Sequence, residues 1–223
     1  RVTTTYEGTR YATSPRPLRD ALRDRAAGVA AVTAVDHDET FVARGETSLD
    51  VDALATDPAF WEVFDGLRLR SGTRGEVLTR PRTAVVSVET ARRLFGTEEP
   101  VGETFRLRGE TPYTVTGVLA PPDGPTHVGV DVYLSTAGDA PPTGPDAWRS
   151  IYTTATYVRL ADGTAPAALR ETMSALFAQR AAPEAQGQYR LALQSLTEMQ
   201  FWAGATSNDF AARFDIPFWF FGM

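Results

Sequence analysis

Apolar and polar positions recur along the chain at both helical and strand periods. Val2 to Tyr6 reads as a strand, and Ser14-Pro-Arg-Pro17 then supplies a helix cap and early prolines. Leu18, Ala21, Leu22 and Ala26 share one face at helical spacing, which predicts an amphipathic helix over 17–27. An apolar strand over 29–35, a turn at Asp36-His-Asp-Glu39 and a strand over 40–44 are expected next. Asp57-Pro58 opens a short helix carrying Phe60, Trp61, Val63 and Phe64, closed by Gly66.

The middle of the chain reads as β-rich. Thr83 to Val88 is a β-branched run, followed by a helix over 89–95 with Val88, Ala91, Leu94 and Phe95 as its apolar stripe and Gly96 as its stop. Strands over 104–108 and 113–119 flank a short hairpin turn at Gly109-Glu-Thr-Pro112, and 130–134 is a further strand. Residues 136–147, with three Pro and two Gly, read as a surface connection. A strand over 156–160 precedes a helix opening at Thr164-Ala-Pro166. Its stripe of Leu169, Met173, Leu176 and Phe177 runs to about Arg180, and a last strand alternates at Tyr189, Leu191 and Leu193.

Strand, helix, strand near the start, with Pro17-Leu-Arg-Asp-Ala-Leu22, has a faint echo near the end around Ala168-Leu-Arg-Glu171. Two β-α-β units separated by a β-rich insertion are the simplest topology, an α+β fold.

Composition narrows the function classes. At 223 residues and 43% hydrophobic, the chain is long enough for a large core or two joined ones. A net charge of −6 without a basic block argues against nucleic-acid binding, where phosphate neutralisation supplies most non-specific affinity. There is no Cys, so thiol nucleophiles, thiolate metal sites and disulfides are excluded. There is no Lys either, which removes Schiff-base chemistry and the lysine of a phosphate loop; the all-Arg usage reads as a codon bias. The chain opens on Arg1 with no signal-peptide pattern, as a fragment or processed product would, and has no apolar run of ~18 residues. Its last ten positions, Phe214 to Met223, concentrate aromatic residues: a tail tucked onto the core, or the interfacial approach to a membrane helix.

Candidate chemistry is sparse. His37 in Asp36-His-Asp-Glu39 and His127 in Pro125-Thr-His-Val128 read as turn and loop residues before metal ligands. Asp50 and Asp52 stand at strand spacing, as a glycosidase pair would, but 28 acids make such spacings common. Arg92-Arg93, Arg68 and Arg70 read as solvated or salt-bridged. No catalytic, cofactor or metal residues stand out, so a binding or force-transmitting role is expected over catalysis. A hydrolase would need Asp50, Asp52, His37 and His127 to converge in one concave site.

One ordered set of motifs goes further. Asp57-Pro-Ala-Phe-Trp-Glu-Val-Phe64 is followed by Leu67-Arg-Leu-Arg-Ser-Gly72 and by Ala84-Val-Val-Ser-Val-Glu-Thr-Ala-Arg-Arg-Leu-Phe-Gly96. Glu99-Pro-Val-Gly102 and Tyr113-Thr-Val-Thr-Gly-Val-Leu119 complete it. This order resembles the periplasmic core domain of MacB/FtsX-like ABC transporter permeases, with Glu103 standing where Lys is usual. The resemblance is best over about 29–134.

The resemblance implies a discontinuous porter-like subdomain of two β-α-β units with an inserted smaller β-rich subdomain. Here the parts would be 1–70, an insertion at 71–150, a return over 151–209, and an aromatic tail at 210–223 approaching a membrane helix. It also implies a non-catalytic domain on the periplasmic or extracellular side of the cell membrane. There it would transmit ATP-driven motion for export or extraction of a substrate. The implied partners are a cytoplasmic ABC ATPase subunit, a second permease copy and a periplasmic partner protein. Hinges are expected near 70–82 and 136–148. A soluble extracytoplasmic ligand-binding protein is the alternative.

Overall fold

The computed structural model describes residues 1–124, 126–140 and 142–197; the aromatic stretch 210–223 lies outside them. In chain order the elements begin with β1 (Val2–Tyr6), β2 (Thr9–Tyr11), α1 (Leu18–Arg25), β3 (Val29–Arg44), β4 (Thr47–Thr56) and α2 (Phe60–Val63). There follow β5 (Leu69–Ser71), β6 (Thr83–Ser87), α3 (Val88–Phe95), β7 (Thr104–Leu107), β8 (Thr111–Leu119) and β9 (Val132–Ser135). The last are β10 (Thr154–Leu160), α4 (Pro166–Arg180) and β11 (Tyr189–Leu193).

β11, β1 and β2 make a three-stranded antiparallel sheet, and the order β10-β3-β4-β9-β6-β8-β5 runs through a second, larger one. β7 changes the shape of that second sheet. It pairs with β8 along Thr104–Leu107 and also with β3, Val42 facing Leu107 and Ala43 facing Arg106. The ladder β3-β4-β9-β6-β8-β7 therefore closes back on β3 as a small barrel, which leaves these strands few open edges.

Side-chain alternation divides this barrel wall between two cores. Val42, Val51, Ala53, Ala84, Val86, Phe105, Val115, Val132 and Leu134 pack together with Val88, Ala91 and Leu94 of α3. The alternate residues Leu54, Val85, Leu119 and Tyr133 pack with Phe60, Trp61 and Phe64 of α2. Burial on both faces explains why 84–86 and 132–134 are unbroken apolar runs. A third core gathers Leu18 and Leu22 of α1 with Leu169, Met173, Leu176 and Phe177 of α4 against Val2 and Val32.

α3 forms as its sequence predicts. Ser87 accepts a hydrogen bond from Thr90 N at 3.1 Å as N-cap, and Gly96 ends the helix in the left-handed region at φ 72°. Two expectations are corrected. Asp36–Glu39 is no turn: β3 runs unbroken for 16 residues, about 50 Å at strand rise. Its polar run finds lateral partners, Asp36 accepting from Thr154 Oγ1 at 2.5 Å and Asp38 pairing with Arg108. Ser14 does not cap α1; its N–H donates to Thr154 O at 2.8 Å and its hydroxyl to Thr156 Oγ1 at 2.7 Å, sewing the chain to β10.

The segment 70–82, expected as a hinge, is tied down. Val77 and Leu78 are fully buried, and the Arg74 guanidinium donates to the carbonyls of Trp61 (2.9 Å), Asp65 (2.8 Å) and Leu67. At 136–148, Thr136 donates twice to Thr56 O and Trp148 is buried, while 138–140 are exposed.

Candidate functional site

The residues that invited a catalytic reading do not share one concave site. Along the β3–β4 ladder, His37 faces Leu54, Glu39 faces Asp52 and Phe41 faces Asp50. His37 Nε2 lies 3.6 Å from Asp52 Oδ1, and Asp50 is exposed. His127 belongs elsewhere in the packing, its ring set against Phe64 and Tyr157 at centroid distances of 5.9 and 5.6 Å. The arginines singled out in sequence are engaged at the surface. Arg70 pairs with Glu98 at 2.7 Å and Glu99 at 3.2 Å, Arg92 with Glu98, Arg93 with Glu89 at 3.7 Å and Arg68 with Asp123 at 3.6 Å. Hydrogen bonding from the Ser71 hydroxyl, reinforced by Arg70, holds the Glu99 carboxyl below its ordinary range.

Two structural features stand out instead. The first is the pairing of β1 with β11, strands 183 residues apart at their nearest in sequence, running from Val2 opposite Leu193 to Tyr6 opposite Tyr189. Gln194 N donates to Arg1 O at 2.9 Å, and Arg1 Nη2 to Gln194 Oε1 at 2.6 Å, continuing the link. The second is β3 itself. Its first half pairs with β10, from Val29 opposite Leu160 to Asp36 opposite Thr154, while Val42 and Ala43 sit in the barrel ring. One strand thus belongs to both ends of the large sheet, and β4 accompanies it from Arg44 back to Asp36.

Where α1 meets this pair lies a small open cleft, with about 40 Å³ of room for water-sized molecules. Its floor is Ala34, Asp36, Ala55 and Asp57; Arg16, Arg19 and Asp20 come from the α1 side, Thr136, Asp139, Ala140 and Pro142 from the opposite loop. Asp57 is the buried acid of this group, 8% exposed. Its Oδ1 accepts from Ala59 N at 2.9 Å, which starts α2; its Oδ2 accepts from Thr33 Oγ1 at 3.2 Å and stands 3.4 Å from Arg19 Nη1. Burial pushes its pKa up, and Arg19 with the hydrogen-bond donors pulls it back only in part. Arg16 meets Asp36 at 3.4 Å.

Sequence reasoning passed over Arg16, Arg19 and the charge of Asp57, reading Asp57-Pro58 only as a helix start. Among the described residues, no three His, Asp or Glu side chains group as metal ligands would, and no helix is long and apolar enough to cross a membrane.

The chain is thus a mixed helix-and-sheet domain built on two sheets. The chain belongs to the MacB-like periplasmic core domain family, whose profile matches residues 1–176. Its fold is similar to a domain of a permease protein from Porphyromonas gingivalis (TM-score 0.68, 20% identity, covering 89% of this chain and 94% of that one). It is also similar to the periplasmic region of MacB from Actinobacillus actinomycetemcomitans (TM-score 0.62, 15% identity, 92% and 93%). A third similar structure is the extracellular domain of the noncanonic ABC-type transporter YknZ from Gram-positive bacteria (TM-score 0.59, 16% identity, 86% and 99%). A comparison with curated protein sequences finds no significant match. The membership resolves the question that the motifs from Asp57 to Leu119 raised: this is the periplasmic domain of an ABC transporter permease, which works with an ATPase.

Proposed function

We propose that this domain is a non-catalytic relay, passing nucleotide-driven motion of its parent permease to a substrate or partner on the periplasmic face of the inner membrane. The observation that carries the reading is the β1–β11 pair. Permease segments continuing from those two strands would leave side by side, so that a displacement of either would move the sheet as a unit. The unbroken β3 then offers a continuous path from β10 to the barrel, paired with β10 over its first half and with β4 over its second.

In this reading the subdomains are those expected from the sequence, a first part over 1–70, an insertion over 71–150, a return over 151–209 and a tail over 210–223, with the β3–β4 hairpin reaching from the first into the second. A cytoplasmic ATPase would drive the parent chain, a second permease copy would complete it, and a periplasmic protein would dock on the barrel end.

The test is a flexible Gly-Ser insertion at the junction before Arg1 in the parent permease, reconstituted with its ATPase. The relay predicts that hydrolysis continues while transport is lost. Transport at the unmodified rate through the slackened junction contradicts it.

A further inference from the structure

We propose that Arg19 and Asp57 form a catch that holds the junction cleft closed, and that neutralising the Asp57 carboxylate releases it. This goes beyond the relay reading and does not depend on transport.

The geometry gives the catch its leverage. Arg19 projects from α1, whose Leu18 and Leu22 are anchored in the core with α4, whereas Asp57 sits where β4 turns into α2, whose Phe60 and Trp61 belong to the other core. The 3.4 Å pair therefore ties two cores together at the floor of a cleft with α1 on one side and Thr136, Asp139 and Ala140 on the other. A second tie, Arg16 to Asp36 at 3.4 Å, lies nearer solvent, with the Arg16 side chain 44% exposed.

Release is inexpensive on both sides. Arg19 already holds Asp20, Nε to Oδ1 at 3.3 Å, so losing Asp57 does not strand a guanidinium. Asp57 keeps its hydrogen bonds from Ala59 N and Thr33 Oγ1, which a neutral acid also accepts. The charged groups facing it are Arg19, Asp20 and Arg23 from α1, Arg16 from the segment before it, Asp36 from β3 and Asp139 from the opposite loop. Burial raises its pKa, and Arg19 with the hydrogen-bond donors offsets this only in part, so the proton arrives at a higher pH than an exposed aspartate would need. The space outside a cell membrane takes its pH from the surroundings, and a catch of this kind would let acidity widen the cleft.

The absence of Cys allows the test to be made on this chain with two introduced labels. Spin labels at Asp24→Cys on α1 and Ala140→Cys on the loop, both exposed positions, report the cleft width by dipolar spectroscopy. The catch predicts one short distance at neutral pH, a second and longer one growing in as pH falls, and the longer one at neutral pH in Asp57→Asn, with no further pH response. Arg19→Gln should show the same longer distance. A single unchanged distance in both variants, with the folded circular-dichroism spectrum retained, overturns the proposal. So does a pH-driven change that persists in Asp57→Asn. Neither result touches the relay reading, which the junction insertion tests separately.

Discussion

Arg108, in the turn between β7 and β8, reaches across to Asp38 in the middle of β3. Its N–H donates to Phe41 O at 2.9 Å and its Nε to Thr40 Oγ1 at 3.2 Å. These contacts fill the stretch where β3 has passed the end of β10, at Asp36, and not yet met β7, at Val42. One side chain thus bridges the gap between the β10-paired and β7-paired parts of β3. Arg108 does this with a left-handed backbone at φ 53°, a conformation that a glycine adopts without strain. Arg108→Gly should therefore be more stable than Arg108→Ala by about 1 kcal/mol in urea unfolding, although both lose the pair. Equal midpoints would show that the turn is not strained.

Arg74 is the reason that 70–82 does not act as a loose connection. Arg74→Met should lower stability by about 2 kcal/mol, because three carbonyls lose a charged donor. The same variant should be cut by proteases within 70–82 faster than the wild type, whereas equal protection would mean that Val77 and Leu78 alone hold the segment.

The close approach of β5 and β8 makes a sharper stability prediction. A Cβ on Gly72 would stand 2.5 Å from Thr116 O, at a backbone φ of +93°. Gly72→Ala should cost about 3 kcal/mol from strain and overpacking together. Gly75, with nothing within 4 Å of an added Cβ, is the control, and its Ala variant should stay within about 0.5 kcal/mol of wild type.

Asp57 gives a pH dependence whose sign is set by burial. Its folded pKa lies above the ordinary 3.8, so the folded state holds the proton more tightly than the unfolded chain. That favourable contribution is complete below 3.8 and is lost as pH rises through the folded value. At pH 7 the ionised group is therefore a burden that Asn does not carry, and Asn still accepts from Ala59 N. Asp57→Asn should be at least as stable as wild type at pH 7, with any gain shrinking as pH falls, while Asp57→Ala loses about 1 kcal/mol with the cap. A fall in stability for Asn equal to that for Ala would place the value of Asp57 in its charge.

Much of the architecture is legible where its causes are local. The Leu169, Met173, Leu176, Phe177 stripe marks the buried face of α4, and Ser87 with Gly96 marks both ends of α3. The motifs from Asp57 to Leu119 lie within the residues that the family profile matches. What stayed hidden depends on distant partners. Four polar residues at 36–39 look like a turn until Thr154 and Arg108 stand beside them, and ring closure rests on two β3–β7 pairs separated by more than sixty positions. The cleft was hidden for the same reason: Arg19 and Asp57 are ordinary surface types until α1 folds over the end of β4.

The relay itself is tested most directly at the far end of the β3–β4 hairpin. A single Cys in place of exposed Glu46, in a parent permease otherwise free of accessible thiols, carries a spin label whose copy-to-copy distance is read without nucleotide and with ATP trapped. The account predicts that the two distance distributions differ, and that the difference disappears with a flexible insertion before Arg1. One unchanged distribution while the ATPase turns over at its normal rate would contradict it.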